Sequence, residues 1–433
     1  YFKEKKETPY LITVTHPSNL YETSSLINNN ISKKDNTKDF FTAARYDEIS
    51  DNPIMYAPLN NVSFNVDGIE VTLAVYSPNN VHQAADMEAD LKKMMQAQST
   101  FLKGFKTTKE YNILLYLFDS EIHEFSVFGA LEHLSSTTVV YPESYSKKQL
   151  SNGMINGTIS HEFFHIVSPL SVHSEEIHSF DFNEPNMSMH LWMYEGVTEY
   201  FANLFQVNQG LISEQEFVNK INEKINASSN FDDTMPFTKM SKNILEPAFA
   251  RNYGNVYQKG ALIGMCIDII LREESKGLYG IRDLMKDLSE KYGAQRPFKD
   301  KEIIEEIVRM TYPSVGEFFT NHVIGTTPID YFLYFEKTGI HKSSALSEVS
   351  YFIDSQNQPF ISVNKERKLF FTKRTNSGLT ALGIKENDLL KSVNGEVISL
   401  QNVNQIIGQS FQWKPGDELT FEIERNGKLI QLK

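Results

Sequence analysis

The stretch His161-Glu-Phe-Phe-His165 constrains this chain more than any other part of it. On a helix, residues four apart share a face, so both imidazoles can point at one tetrahedral metal ion. The glutamate beside the first histidine can reach a water on that metal without becoming a ligand. The plainer alternative is a surface helix with two unrelated histidines, and a third ligand separates the two readings. A catalytic zinc site takes three protein ligands and keeps a fourth position open. Glu195, in Leu191-Trp-Met-Tyr-Glu-Gly-Val-Thr-Glu-Tyr-Phe201, is the best candidate, because it lies on the next predicted helix after a connection long enough to fold back. Glu199 follows one turn later on the same face. It can accept a hydrogen bond from a ligating imidazole and fix its tautomer, although it also fits an ordinary exposed helix carboxylate.

Composition narrows the partners. A formal charge of -13 argues against nucleic acid, whose phosphates need a concentrated basic surface. It permits a cationic ligand such as a peptide amino terminus. The single cysteine, Cys266, excludes an intramolecular disulfide framework, and its apolar surroundings predict a buried, inert thiol. No run approaches the 18 or so apolar residues of a membrane span. The chain begins with Tyr1 rather than methionine, as expected of a processed or trimmed product. That start favours export, periplasmic or extracellular, over a cytoplasmic location.

Along the chain, residues 1–80 read as a β-rich domain. Alternation over Asn61–Tyr76, broken at Asp67-Gly68, predicts a hairpin. From Val81 to Phe105 the spacing of Met87, Leu91, Met94 and Met95 is helical, and Tyr111–Phe118 is a buried strand. Helical patterns then dominate. The motif helix is expected to start near Thr158 or Ser160 and to end before Pro169. Others cover about His190–Val207, Ser213–Asn226, Asn255–Glu274, Ile281–Tyr292 and Lys301–Thr311. Beyond about residue 340 short strands return, the last leading into the turn Asn426-Gly427.

Four segments in order resemble the glycyl aminopeptidase family, gluzincin-type metallopeptidases with a C-terminal PDZ domain. They are Phe128-Gly-Ala-Leu-Glu-His133, His161-Glu-Phe-Phe-His165, Trp192-Met-Tyr-Glu-Gly-Val-Thr-Glu-Tyr200 and Tyr257-Gln-Lys-Gly-Ala261. The resemblance implies an α+β multidomain chain. Its parts would be an N-terminal β-rich domain (1–80), a thermolysin-like, mainly helical zinc peptidase domain (81–338) and a PDZ-like β domain (339–433). It further implies one Zn²⁺ per chain held by His161, His165 and Glu195, with Glu162 taking the proton from the attacking water. Tyr257 would donate a hydrogen bond to the oxyanion, with Tyr253 as the fallback. Glu132 would pair with the free amino terminus of a peptide, and Gly129 and Ala130 would let the substrate approach the strand. His133 reads as structural. Hydrolysis of the first peptide bond after a small residue, glycine or alanine, is the implied activity.

The chain departs from the family after His165. A basic stretch ending in proline is usual there, and this chain has Ile166-Val-Ser-Pro-Leu-Ser-Val-His173 followed by Ser174-Glu-Glu176. That leaves the metal ligands in place and bears on the preference for glycine or alanine. His173, His178 and His190 follow no metal-ligand spacing rule and read as loop residues. In the C-terminal module, Ser377–Gly395 resembles the PDZ segment that ends Val-Asn-Gly, with Asn387-Asp388 where Gly-Asp is usual. A PDZ domain adds an extended peptide to a sheet edge; the bland alternative is a β module packed on the catalytic domain. Two rivals accompany the aminopeptidase reading: an endopeptidase with PDZ-guided substrate capture, and a peptide-binding scaffold whose zinc site is vestigial.

Overall fold

Asp67-Gly68 turns the chain where the alternation breaks. Both residues have positive φ, 48° and 92°, as a two-residue hairpin loop of this hand requires. The turn joins β1 (Asn61–Val66) to β2 (Ile69–Tyr76) with Val66 opposite Ile69. A computed structural model describes residues 7–29, 37–105, 108–120, 128–178, 180–181, 183–342, 351–353, 358–374, 376–413 and 416–433.

The hairpin is the start of a five-stranded sheet. After β2 comes α1 (Glu88–Phe101), which buries Leu91, Met94, Met95 and Phe101, and then β3 (Glu110–Phe118), parallel to β2. β4 (Gly129–His133) and β5 (Ser136–Pro142) complete the order β1-β2-β3-β5-β4. β3 is buried along nearly its whole length, as expected of a central strand with parallel neighbours on both sides. β4 is the antiparallel edge. The hairpin of residues 61–76 therefore shares a sheet with residues 110–142. Ahead of it lie a three-stranded sheet, containing Tyr10–Thr15 and Lys38–Ala43, and a two-stranded one.

The helical part supplies the site. α2 spans residues 147–164 as one continuous helix, wound at the wider π pitch over Leu150–Ile159. It starts at Ser146, more than ten residues before the expected caps at Thr158 or Ser160. The cap is reciprocal: Ser146 Oγ accepts from the Gln149 amide, and Gln149 Oε1 accepts from the Ser146 amide at 2.9 Å. α3 spans residues 192–208 and stops at Gly210, whose φ is 68°. α4 (Glu214–Ser228) is capped by Ser213 and Glu216. α5 (Asn255–Glu274) is buried over most of its length, Cys266 included.

Residues 1–341 and 342–433 form two compact units. The second has its own core around Phe371, Leu379, Phe421 and Ile423, under an antiparallel sheet that ends in the Asn426-Gly427 hairpin. Asn387 adopts a φ of 68°, the conformation a glycine would take there without strain. Asp388 beside it is buried and receives two 2.7 Å hydrogen bonds from Arg425. Among the described residues, no helix is long and apolar enough to cross a membrane.

Candidate metal centre

The two phenylalanines inside the motif fix its orientation. Phe164 packs against Phe101, Phe201 and Phe205 with ring centroids 5.4–5.8 Å apart, and Phe163 meets Tyr111 edge-on at 5.0 Å. With that face committed to the core, helical geometry turns His161, Glu162 and His165 the other way. Gln98 of α1 donates to the Ser160 carbonyl at 2.8 Å and ties down the turn that carries them.

α3 brings Glu195 up to this face. Glu195 Oε2 lies 3.2 Å from His161 Nε2 and 3.7 Å from His165 Nε2. Donors about 2.0–2.1 Å from a tetrahedral zinc stand roughly 3.3–3.5 Å from one another, so Glu195 stands from each histidine at about the separation a shared ion requires. The outer ring nitrogens are occupied. His161 Nδ1 donates to Glu199 Oε2 at 2.8 Å, and His165 Nδ1 donates to the Ser168 carbonyl at 3.0 Å. With Nδ1 committed to these acceptors, Nε2 is the nitrogen each ring turns to the centre.

Sequence reading placed Glu199 behind His161 but missed what stands behind Glu199. Lys224 of α4 reaches Glu199 Oε1 at 2.5 Å, and Asn203 Nδ2 donates to the same oxygen at 3.1 Å. Burial works against the charged form of Glu199. Lys224 and His161 nevertheless hold its carboxyl well below the usual carboxylate range. Nothing in the α4 sequence distinguishes Lys224 from its other lysine, Lys220; only the packing of α4 directs it inward.

Glu162 behaves differently from the ligand candidates. Its Oε2 is buried with no hydrogen-bond partner among the described residues. Burial raises its carboxyl to about 7, against the pull of His165 and His161. An orphaned oxygen beside three convergent donors fits a metal with a water on its open position.

Tyr257 and Glu195 are brought together by two glycines. A Cβ at Gly260 would lie 2.9 Å from Gly196 Cα, and one at Gly196 would run into the Gly260 carbonyl group. Only glycine at both positions lets α3 and α5 touch backbone to backbone. This contact places the Tyr257 ring 5.7 Å from that of His161. Burial, with Glu195 and Tyr253 nearby, pushes the Tyr257 phenol far above its usual range, so it remains a donor. The Tyr253 and Tyr257 hydroxyls lie 2.9 Å apart.

Glu132 faces the same centre from β4: its oxygen, His165 and Glu195 offer ligand atoms all within 4.8 Å of one another. Burial raises its carboxyl, opposed by His165. Gly129 and Ala130 line a cavity of about 810 Å³ together with His161, Glu162 and Tyr257. The remaining histidines have other partners. His133 contacts Asp51 and Thr138, each at 3.2 Å. His190 donates to the Asp300 carbonyl and accepts from Trp192. His173 and His178 hydrogen-bond each other at 3.0 Å. Among the described residues, the groups of three or more side chains able to hold a metal all lie at the one centre.

Residues 155–263 match the model of the M61 glycyl aminopeptidase family, a segment that runs from α2 past Tyr257. No curated protein matches the chain. Among solved structures it is similar to an aminopeptidase N family protein from Idiomarina loihiensis, at 18% identity and a TM-score of 0.71, over 99% of this chain and 76% of that one. A two-domain M1 zinc metallopeptidase variant bound to L-tryptophan is similar at 14% identity and a TM-score of 0.50, over 75% of this chain and 66% of the other. At these identities the likeness is one of fold.

Proposed function

We propose that this chain, a peptidase of the glycyl aminopeptidase family, is a zinc aminopeptidase that releases a small first residue, glycine or alanine, from peptides. The observation that carries the reading is the convergence of two imidazole Nε2 atoms on Glu195, with the Glu162 oxygen that has no partner among the described residues beside them. His161, His165 and Glu195 would hold the ion. When bound, zinc supplies Lewis acidity and brings the pKa of a coordinated water toward about 7. Glu162 then takes a proton from the attacking water and passes it to the departing amine, a role suited to a carboxyl raised toward neutrality. Tyr257 donates to the oxyanion. Glu132 pairs with the substrate ammonium, whose charge compensates a carboxylate that burial disfavours. The free edge of β4 at Gly129 and Ala130 offers main-chain groups to an extended peptide.

Residues 342–433 fit a PDZ-like module on this reading, with an extended peptide as ligand; the Asn387 conformation and the buried Asp388 support it. Hydrolysis of alanyl and glycyl p-nitroanilides, with and without a chelator, tests the assignment. A peptide substrate with an acetylated amino terminus tests it against the endopeptidase alternative. Activity should vanish with the chelator and on acetylation. Undiminished cleavage of the acetylated peptide would assign the site to an endopeptidase.

A further inference from the structure

One cation in the wall of the catalytic cavity has no role in the scheme above. Lys220 sits on α4 one turn before Lys224. Lys224 is turned inward onto Glu199. Lys220 lines the cavity and has no hydrogen bond or ion pair among the described residues; the nearby Glu216 is engaged by the Ser213 cap. Among the described residues it is the only lysine or arginine in that wall.

The position of the cavity says which part of a substrate Lys220 meets. Glu132 groups with His165 and Glu195 at the centre and is not itself part of the cavity wall. The cavity beside it is lined by Gly129, Ala130 and Leu131 of β4, by His161, Glu162 and Tyr257, and by Asn156, Gln206 and Lys220. A peptide with its ammonium at Glu132 therefore sends its carboxyl-terminal portion into the cavity. Two of the neighbouring amides are already used: Gln206 Nε2 serves the Asn156 and Ala202 carbonyls, and Asn203 Nδ2 serves Glu199. With Glu199 already answered by Lys224, a carboxylate entering the cavity would need another cation to answer it. Lys220 is placed to do so.

We infer that Lys220 recognises a carboxylate on the leaving half of the substrate, so that the enzyme favours short peptides ending in a free carboxyl group. This rests on the aminopeptidase reading, which sets the direction of the bound peptide. The acceptor chemistry is a carboxylate, supplied by a chain terminus or by an acidic side chain.

Specificity constants for alanyl peptides of two to five residues, each as free acid and as carboxyl-terminal amide, test the inference. At one or more of these lengths the acid should be preferred by about 10-fold, the scale of one charge-assisted hydrogen bond. Lys220→Met should bring the acid-to-amide ratio near one, and Lys220→Arg should preserve it. No preference in the native enzyme, or one that survives Lys220→Met, would overturn the inference. An amide ending in aspartate separates the two sources: if it recovers the preference, the assignment to chain termini is wrong. Acid and amide affinities measured calorimetrically on Glu162→Gln give the same ratio without turnover. An acetylated arm reports on the aminopeptidase reading separately, so the two can fail independently.

Discussion

On the side of the centre built by α2 and α3, polar side chains are held by a second partner. His161 rests on Glu199, Glu199 on Lys224 and Asn203, and His165 on the Ser168 carbonyl. On the side built by β4 and the cavity, partners run out. Among the described residues, β4 is an unpaired edge, one Glu162 oxygen is orphaned, and Lys220 makes no hydrogen bond or ion pair. The first side is preorganised by the chain itself, as a metal site needs for its ligands to keep their tautomers and spacing. The second side leaves its hydrogen-bonding capacity for something that arrives. A buried polar atom without a partner costs about 1–3 kcal/mol, so it persists where a water or substrate answers it.

Substitutions on each side should separate these roles. Tyr257→Phe, on the open side, should lower kcat by about 100- to 1000-fold while zinc content and melting temperature hold. A loss of zinc in that variant would place Tyr257 in the framework instead. Gly196→Ala acts on the framework, forcing a methyl into the Gly260 backbone, which cannot rotate away. We expect a loss of about 3 kcal/mol in stability, with lower zinc occupancy, read by thermal melting and metal analysis. An unshifted melting curve would contradict the close approach. Lys224→Met should weaken zinc binding by about 10-fold, measured by competition with a chromophoric chelator, and Lys224→Arg should restore much of it. Unchanged affinity would show that Glu199 holds His161 without help.

What could be read in the sequence followed the same division. The Asp67-Gly68 hairpin and the Asn255–Glu274 helix were legible because turn chemistry and apolar spacing are local properties. His161 and His165 could be placed on one face by their helical spacing, whereas Glu195 was a candidate only from its place on the next helix, which the structure brings up to them. The early start of α2 was not, because Leu150–Ile159 contains two glycines and two asparagines and reads as a breaker. The Ser146 to Gln149 capping pair was the available signal. Lys224 and the Gly196–Gly260 contact depend on how helices distant in sequence pack, and no local pattern marks them. Both glycines do lie inside quoted motifs, so asking why glycine was needed there would have pointed to a helix crossing.

Of the four central side chains, His161, His165 and Glu195 are proposed to hold zinc and Glu162 to move a proton. Zinc content and turnover, measured together on Glu162→Gln and Glu195→Gln, test that division most directly. Glu162→Gln should retain one zinc per chain and lose turnover, whereas Glu195→Gln should lose both. Turnover surviving in Glu162→Gln, or full zinc occupancy in Glu195→Gln, would contradict it.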